Sequence, residues 1–474
     1  MRVLLVEDKT EFAQLVEKAV RSIPDCELVW CASRDSALAR LAAESFDLVV
    51  LDRRIPSMDD VLDDHADHGW RVFQHVRENL PGTPVWFLTG SEDADFVVEL
   101  NNEFGRTADV HGRRQNEQMY QVCWKKRISE CVKRLRDFAE HRAILERIAV
   151  NSLGGSPVLT VEEYRTLRMF GRQRNGAVVD CVVLGGGLSS SRVLKVVVKE
   201  ANGAVLLTAV AKVAPLPVIR DEAERYQNHI TRLAPGGFPP LTERIEVGAG
   251  NTGAIFYGMV GAKVQSLFER LAGNHPETAE LPARLRALEH GWYQGKQTTR
   301  VRVGQIRRRF IGDPQLPAIE NELDGIDTTA VEDKEINVSQ CCQHGDFHCA
   351  NVVFDETDRA MVIDFGDVGG AVSAIDPVTL ELSTVFHTQH TSLPADWPTE
   401  AHMTQWVDVE RYVEGCAFGP FIRGCRAWAL AEAASEDEVI AVAYGYALRQ
   451  LKYADTDKAL ARALIRACIA RLAR

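Results

Sequence analysis

The sequence predicts an α/β chain in two parts, a doubly wound parallel sheet followed by a larger, two-lobed α+β domain. Three observations predict it. Through the first 140 residues short apolar runs alternate with amphipathic stretches; from about residue 177 β-type runs follow one another across glycine turns; beyond residue 260 the pattern is mostly helical. At 474 residues the chain also exceeds one ordinary core, so two or three domains are expected.

The first part reads RVLLVED, a helical pattern from Lys9 to Arg21, ELVWCA, a helix from Arg34 to Ala43, then DLVVLDRRIP, with VWFLTG and YQVCWK as later strands. Strand–helix alternation at this tempo gives a parallel sheet covered by helices on both faces, and ligands of such sheets collect at the carboxyl ends of the strands. Polar residues stand at those ends: Glu7 and Asp8 after the first strand, Asp52 after the third, Thr89 after the fourth, Lys125 after the fifth. This set resembles the flavodoxin-like receiver domain of two-component response regulators, over about residues 1–140. The resemblance implies Asp52 as phosphoacceptor, Glu7, Asp8 and Asp52 as magnesium ligands, Thr89 as switch hydroxyl and Lys125 as the phosphate-pairing cation. It also implies a histidine kinase or other phosphodonor as partner. The chemistry is sound by itself, since an acyl phosphate among carboxylates needs a divalent cation and a nearby ammonium. Two departures stand out: Lys126 replaces the usual proline, and an acidic stretch, SMDDVLDDHADHG, follows Ile55-Pro56. That stretch reads as a hydrated surface loop.

From Lys126 to about Val150 the chain reads as one long helix, with Ile128, Cys131, Leu135, Phe138 and Leu145 at three-to-four spacing. It outlasts the first fold, which makes it a rigid connector or a dimer seam. Arg142 interrupts the stripe and argues against a stable coiled coil. The turn signal NSLGGSP, Asn151 to Pro157, marks a boundary. The expected division is a receiver domain over 1–125, a connector helix and linker over 126–155, and a second domain over 156–474, with its N-lobe over about 156–258 and C-lobe over 259–474.

In the second domain a helical lead, Val161 to Met169, precedes three strands, the third ending on Lys212. The glycines Gly185, Gly186 and Gly187 begin a loop running to Ser191, small enough for backbone amides to approach phosphates. It matches G-x-G-x-x-G only with Ser190 in the third glycine position, and a plain hairpin turn would look much the same. A helix follows from about Val218, where Glu222 and Glu224 are both placed to pair with Lys212. Glu222 is preferred, one turn before the apolar anchor Tyr226.

The strongest signal is QHGDFHCANVVFDETDRAMVIDFGDV, Gln343 to Val368. It sets Asp346 on a Gly-containing loop, Asn351 five residues later and Asp364 at the end of a β-run. Phosphoryl transfer needs such a set: a base for the acceptor hydroxyl, and a carboxamide and a carboxylate for the metal ions that neutralise the moving charge. The pattern H-G-D-x-H-x-x-N followed by I-D-F resembles the aminoglycoside-phosphotransferase and choline-kinase branch of the protein-kinase-like fold. That resemblance implies Asp346 as catalytic base, Asn351 and Asp364 as magnesium ligands, His348 as a loop-stabilising residue, and ATP and Mg2+ as cofactors. It implies Lys212, Glu222 and the glycines Gly185, Gly186 and Gly187 as the nucleotide side, with Phe256 to Gly261 as hinge. IRDEAERY and FYGMVGAKVQSL further resemble a bacterial kinase-like family described as ternary-complex-associated domains. Asp376-Pro377 reads as a helix N-cap with proline in the first turn.

A net charge of −12 and a pI near 5.6 argue against nucleic acid and anionic membranes as partners. Eleven cysteines without a CxxC pair suit free thiols in a reducing cytoplasm, and no apolar run approaches the length that spans a bilayer. Arg300, Arg302, Arg307, Arg308 and Arg309 read as a solvated helix face. The reading as a whole is a cytoplasmic, receiver-regulated ATP-dependent phosphotransferase acting on an unidentified hydroxyl acceptor. Its competitor is a catalytically silent module that binds nucleotide or a partner.

Overall fold

The computed structural model describes residues 1–90, 94–154, 158–186, 191–259, 264–273, 276–387 and 397–474. It divides into two units, Met1–Asp221 with Pro240–Met259, and Glu222–Pro239 with Val260–Arg474.

The first unit opens with β1 (Arg2–Val6), α1 (Thr10–Arg21), β2 (Glu27–Cys31), α2 (Arg34–Ala43), β3 (Leu48–Asp52), α3 (Ala66–Asn79), β4 (Val85–Thr89) and α4 (Ala94–Phe104). A short hairpin of β5 (Thr107–Ala108) and β6 (Glu117–Gln118) precedes β7 (Tyr120–Trp124) and α5 (Ile128–Glu146). The sheet order is β2-β1-β3-β4-β7, all parallel. Strands β3 and β4 are buried at every position, as expected of parallel strands covered by helices on both faces. Parallel pairing brings the carboxyl ends of β1, β3, β4 and β7 to one edge.

Next come β8 (Ala149–Ser152), α6 (Val161–Gln173), β9 (Val178–Gly186), β10 (Arg192–Lys199), β11 (Val205–Pro215), α7 (Leu216–Asn228), β12 (Leu241–Ile245) and β13 (Thr252–Gly258). They form a sheet of order β12-β13-β11-β10-β9-β8. The division between the units falls within α7. Helix α6 begins at a capping box in which Thr160 and Glu163 satisfy each other's backbone amides. Its Phe170 stacks on Phe256 of β13, with ring centroids 3.8 Å apart.

Residues 126–154 do not form a connector standing apart from the two sheets. Cys131, Leu135, Phe138 and Ala139 of α5 belong to the core of the parallel sheet, and Leu145 belongs to the core of the second sheet. Ala149–Ser152, expected as the end of the long helix and the start of the turn, pairs parallel to β9 as an edge strand. Arg142, expected to break the stripe, is only 3% exposed. Its Nη2 lies 3.2 Å from Oδ1 of Asp47, which Arg165 of α6 also reaches at 2.5 Å, while the amide of Arg2 donates to Oδ2 at 2.7 Å. The stripe tolerates an arginine because a buried charge with partners avoids most of the penalty of an unpaired one. A backbone contact adds to the join: Gly82 N donates to Gly250 O at 2.9 Å and Gly248 N to Gly82 O at 2.7 Å. A methyl group on Gly82 would sit 2.5 Å from Gly250 O, so only glycine permits this approach.

The second unit holds β14 (Gln265–Ser266), α8 (Leu267–Ala272), α9 (Leu281–Leu288), α10 (His290–Tyr293), β15 (Gln297–Arg302), α11 (Val303–Phe310), α12 (Thr329–Glu332) and β16 (Glu335–Gln343). It continues through β17 (Val352–Phe354), β18 (Ala360–Val362), β19 (Gly369–Val372), α13 (Ile375–Phe386), α14 (Glu400–Thr404), α15 (Val409–Tyr412), α16 (Gly419–Glu432), α17 (Glu436–Gln450) and α18 (Lys458–Leu472). Two small sheets, β14-β17-β18 and β15-β16-β19, frame the loop after β16. Helix α13 is buried at all its positions, and its Glu381 is neutralised by Arg426 at 2.7 Å. Arg307, expected on a solvated face, is likewise buried, between Glu332 at 2.9 Å and Asp313 at 2.7 Å. No helix among the described residues is long and apolar enough to cross a membrane.

Removing one partner of a buried ion pair strands the others. Asp47→Ala is therefore expected to destabilise the chain by about 3–5 kcal/mol, read as a lowered thermal midpoint. Asp64→Ala, at an exposed pair with Arg54, should leave the midpoint unchanged. Equal midpoints for the two variants would contradict the role given to Asp47.

Candidate functional site

At the carboxyl edge of the parallel sheet, Lys125 Nζ lies 2.6 Å from Asp52 Oδ2 and 2.8 Å from Glu7 Oε1. Glu7 is fully buried and Asp52 is 6% exposed. Burial first, and the neighbouring Asp52 second, push the Glu7 carboxyl up to about 7, against the pull of Lys125. Burial likewise raises Asp52. One carboxylate oxygen from each of Glu7, Asp8 and Asp52 lies within 4.8 Å of the others. Three hard oxygen donors at this separation fit Mg2+. Thr89 is buried at the end of β4, in register with Trp124, the residue before Lys125. All five residues singled out at the strand ends thus stand at one edge of the sheet. Trp30 of β2 donates its indole N–H to Glu7 O at 2.8 Å, a contact with no sequence signature.

In the second unit, β16 delivers Gln343 to a tight loop. Gly345 sits at φ 84°, and a methyl group there would lie 2.7 Å from both Asp367 O and Arg309 Nη2. Asp376 holds this loop from below: Oδ2 accepts from His344 N at 2.5 Å and Oδ1 from Gly345 N at 2.9 Å. Gln343 Oε1 accepts from Asp376 N at 3.1 Å in return. Asp376 is therefore not the N-cap; α13 is capped at Ala374, and the Asp376 carboxylate is engaged by the loop instead. His344 Nε2 lies 3.0 Å from Ile363 O, tying the loop to the residue before Asp364.

Asn351 Nδ2 donates to Asp346 O at 2.9 Å, and Asn351 O accepts from Ile363 N at 3.0 Å. Its amide nitrogen is committed to the loop, which leaves the side-chain carbonyl oxygen for a cation. Asp364 is exposed, at φ 64°, a left-handed conformation that aspartate tolerates at such a turn. Asn351 and Asp364 offer oxygen donors, and these fit magnesium. The Asp346 carboxylate meets Arg449 Nη1 and Nη2, each 3.2 Å from Oδ1, and His348 Nε2, 3.5 Å from Oδ2. Burial by itself would raise Asp346, but the His348 contact and the Arg449 charge hold it well below the usual carboxylate range. A carboxylate held this low is a weak base and a ready hydrogen-bond acceptor.

On the nucleotide side, Gly185 and Gly186 lie within the β9–β10 ladder, opposite Val193 and Arg192, so they extend a strand rather than open the turn. Gly187 lies outside the described residues. Lys212 is half-buried on β11 between Val193 and Ile255. Glu222 is 3% exposed on α7 in the second unit, whereas Glu224 is exposed. Burial pushes the Cys342 and Cys349 thiols up to about 12, leaving them inert packing groups.

Sequence reasoning missed Arg449 and the clamp made by Asp376. The first carries no local signal, lying 103 residues from Asp346. The second was legible as a polar residue beside the helix start, though not in its direction.

Residues 3–105 match the response regulator receiver domain model, and residues 180–380 match the phosphotransferase enzyme family model. No curated protein matches the chain in sequence. Among solved structures, the Mn2+-bound response regulator Rcp1 is similar at 20% identity, over 29% of this chain and 89% of that one, with a TM-score of 0.22. The receiver domain of an HD domain-containing protein from Pseudomonas fluorescens Pf-5 aligns at 22% identity, over 31% of this chain and 92% of that one, with a TM-score of 0.23. A thermostable mutant of aminoglycoside phosphotransferase APH(4)-Ia, solved with ADP and hygromycin B, aligns at 11% identity, over 62% of this chain and 96% of that one, with a TM-score of 0.34.

If the Glu7, Asp8 and Asp52 oxygens hold the cation together, Asp8→Asn and Asp52→Asn should each weaken Mg2+ binding roughly tenfold or more. Calorimetry without nucleotide reads this directly. Unchanged affinity in both variants would place the cation elsewhere.

Proposed function

For a chain that joins a receiver domain to a phosphotransferase-family domain, we propose a receiver-regulated, ATP-dependent phosphotransfer to a hydroxyl acceptor in a two-component type of signalling system. The observation that carries this reading is the loop at Asp346. Its carboxylate is kept ionised, its backbone is held by Asp376 and Asn351, and Asp364 follows at the neighbouring turn. Bound ATP-magnesium supplies the phosphoryl group and the charge that offsets it in transfer. Asn351 and Asp364 hold the metal, Lys212 steadies the phosphates, and Asp346 orients the acceptor hydroxyl for in-line attack. Acceptor identity is open within the hydroxyl class.

The placement of Lys125 supports the regulatory part of this reading. This lysine contacts both Glu7 and Asp52, and only two residues separate it from α5, whose far end carries Leu145 into the second sheet's core. Phosphorylating Asp52 from a histidine kinase or small-molecule donor adds charge at that lysine and biases the helix.

Purified protein with Mg2+ should consume ATP, and acetyl phosphate should change the rate. Asp346→Ala is expected to lower turnover at least about 100-fold while keeping ATP binding, and Asp52→Ala to abolish the response to acetyl phosphate. ATP that is bound and never consumed, with a panel of hydroxyl acceptors present, would favour the silent binding module.

A further inference from the structure

The second unit contains a cation aimed at the candidate catalytic carboxylate from far along the chain. Arg449 stands in the last turn of α17, outside the residues matched by the phosphotransferase model. Both Nη atoms lie 3.2 Å from the same oxygen, Asp346 Oδ1, and Nε donates to Tyr453 OH at 3.2 Å. No other carboxylate pairs with Arg449 among the described residues. The two side chains are 27% and 26% exposed, so the pair borders solvent rather than closing a core.

Both supports of this contact are rigid. Helix α17 is anchored by the buried Glu438, which accepts from Ser339 N at 2.8 Å, Ala434 N at 2.9 Å and Ser373 Oγ at 2.9 Å. It also packs on α11 so tightly that a methyl group on Gly445 would lie 3.2 Å from Arg307 Cα. The loop on the other side is held by Asp376. Two fixed elements therefore meet through one ion pair. A planar guanidinium with both Nη atoms on one oxygen restrains the carboxylate in a way that a single ammonium does not.

We infer that Arg449 is the positioning residue for Asp346: by occupying Oδ1 it sets the plane of the carboxylate and leaves Oδ2, beside His348, to face the acceptor hydroxyl. This rests on the phosphotransfer reading of Asp346. In the step it serves, the acceptor oxygen bonds to the γ-phosphorus of ATP as the bond to the bridging oxygen breaks. That oxygen leaves with the electron pair on ADP. The acceptor's proton, hydrogen-bonded to Oδ2, is released to solvent. Arg449 touches none of the reacting atoms and acts through the angle at which Asp346 meets the hydroxyl, where small misplacements are costly.

The test uses the full chain with Mg-ATP and water as acceptor, following ADP release. Arg449→Met is expected to lower kcat about 10- to 100-fold while KM for ATP stays within about twofold, because ground-state nucleotide binding does not depend on the acceptor side. Arg449→Lys should recover part of kcat, and it replaces the methionine variant in every comparison should that one fail to fold. In an Asp346→Asn background Arg449→Met should cost nothing more, since a residue that acts through another has no effect once that other is gone. A wild-type kcat in Arg449→Met overturns the inference. So does a loss seen only in KM, or an equal loss in the Asp346→Asn background, which would mark Arg449 as merely structural. If Asp346→Asn itself turns over ATP like the wild type, the assignment of Asp346 falls and this one with it.

Discussion

A single buried carboxylate decides how the first half of this chain is built. Asp47 stands just before β3, where it receives the amide of Arg2 from the parallel sheet and the guanidinium groups of Arg142 and Arg165. Arg142 comes from the helix that covers the parallel sheet, and Arg165 from the helix that covers the mixed one. Three charges of unequal sign, all withdrawn from water, are tolerable only where the partners stay together, so the cluster favours one arrangement of the two sheets. The glycine approach between Gly82 and Gly248–Gly250 adds a backbone contact that admits no side chain. The parallel sheet and the second, mixed sheet therefore share one compact unit, and α5 contributes to both cores.

The second unit uses buried carboxylates differently. Asp376 is withdrawn from solvent and accepts two backbone amides, which fixes the path of the loop. Asp346, 30 residues earlier in sequence by the same numbering, has solvent at its edge, a guanidinium on one oxygen and an imidazole near the other. Burial drives the Asp376 carboxyl up to about 7, while the His348 contact and the Arg449 charge hold Asp346 low. One aspartate shapes the loop and the other is kept charged upon it. Environment, not residue type, separates the two roles.

Lys125 occupies a comparable position in the parallel sheet. Burial disfavours its charge, but Asp52 and Glu7 outweigh that and raise its pKa. It already bridges the two acids, so any charge added at Asp52 would alter an existing contact rather than create one. The indole of Trp30 on Glu7 O places an aromatic group beside the same acids.

Much of this was legible in the order of residues. Parallel strands bring their carboxyl ends to one edge, so the strand order alone groups Glu7, Asp8, Asp52, Thr89 and Lys125. The loop at Asp346 was legible because its residues lie within a short stretch whose spacing is set by one turn and one hairpin. Other features had no such local frame. The strand at Ala149–Ser152 is short and mostly exposed, and carries no alternation; only the open edge of β9 makes it a strand. Arg142 looked like a break in an apolar stripe because its partner lies 95 residues away in the numbering, at Asp47. Arg449 and Asp376 likewise owe their roles to what faces them across the fold. Sequence by itself determined the two fold types and the residues gathered by strand ends and tight turns, since these depend on short-range geometry. Tertiary structure alone decided which buried charges meet, because a charge far along the chain leaves no period or spacing that would announce its partner.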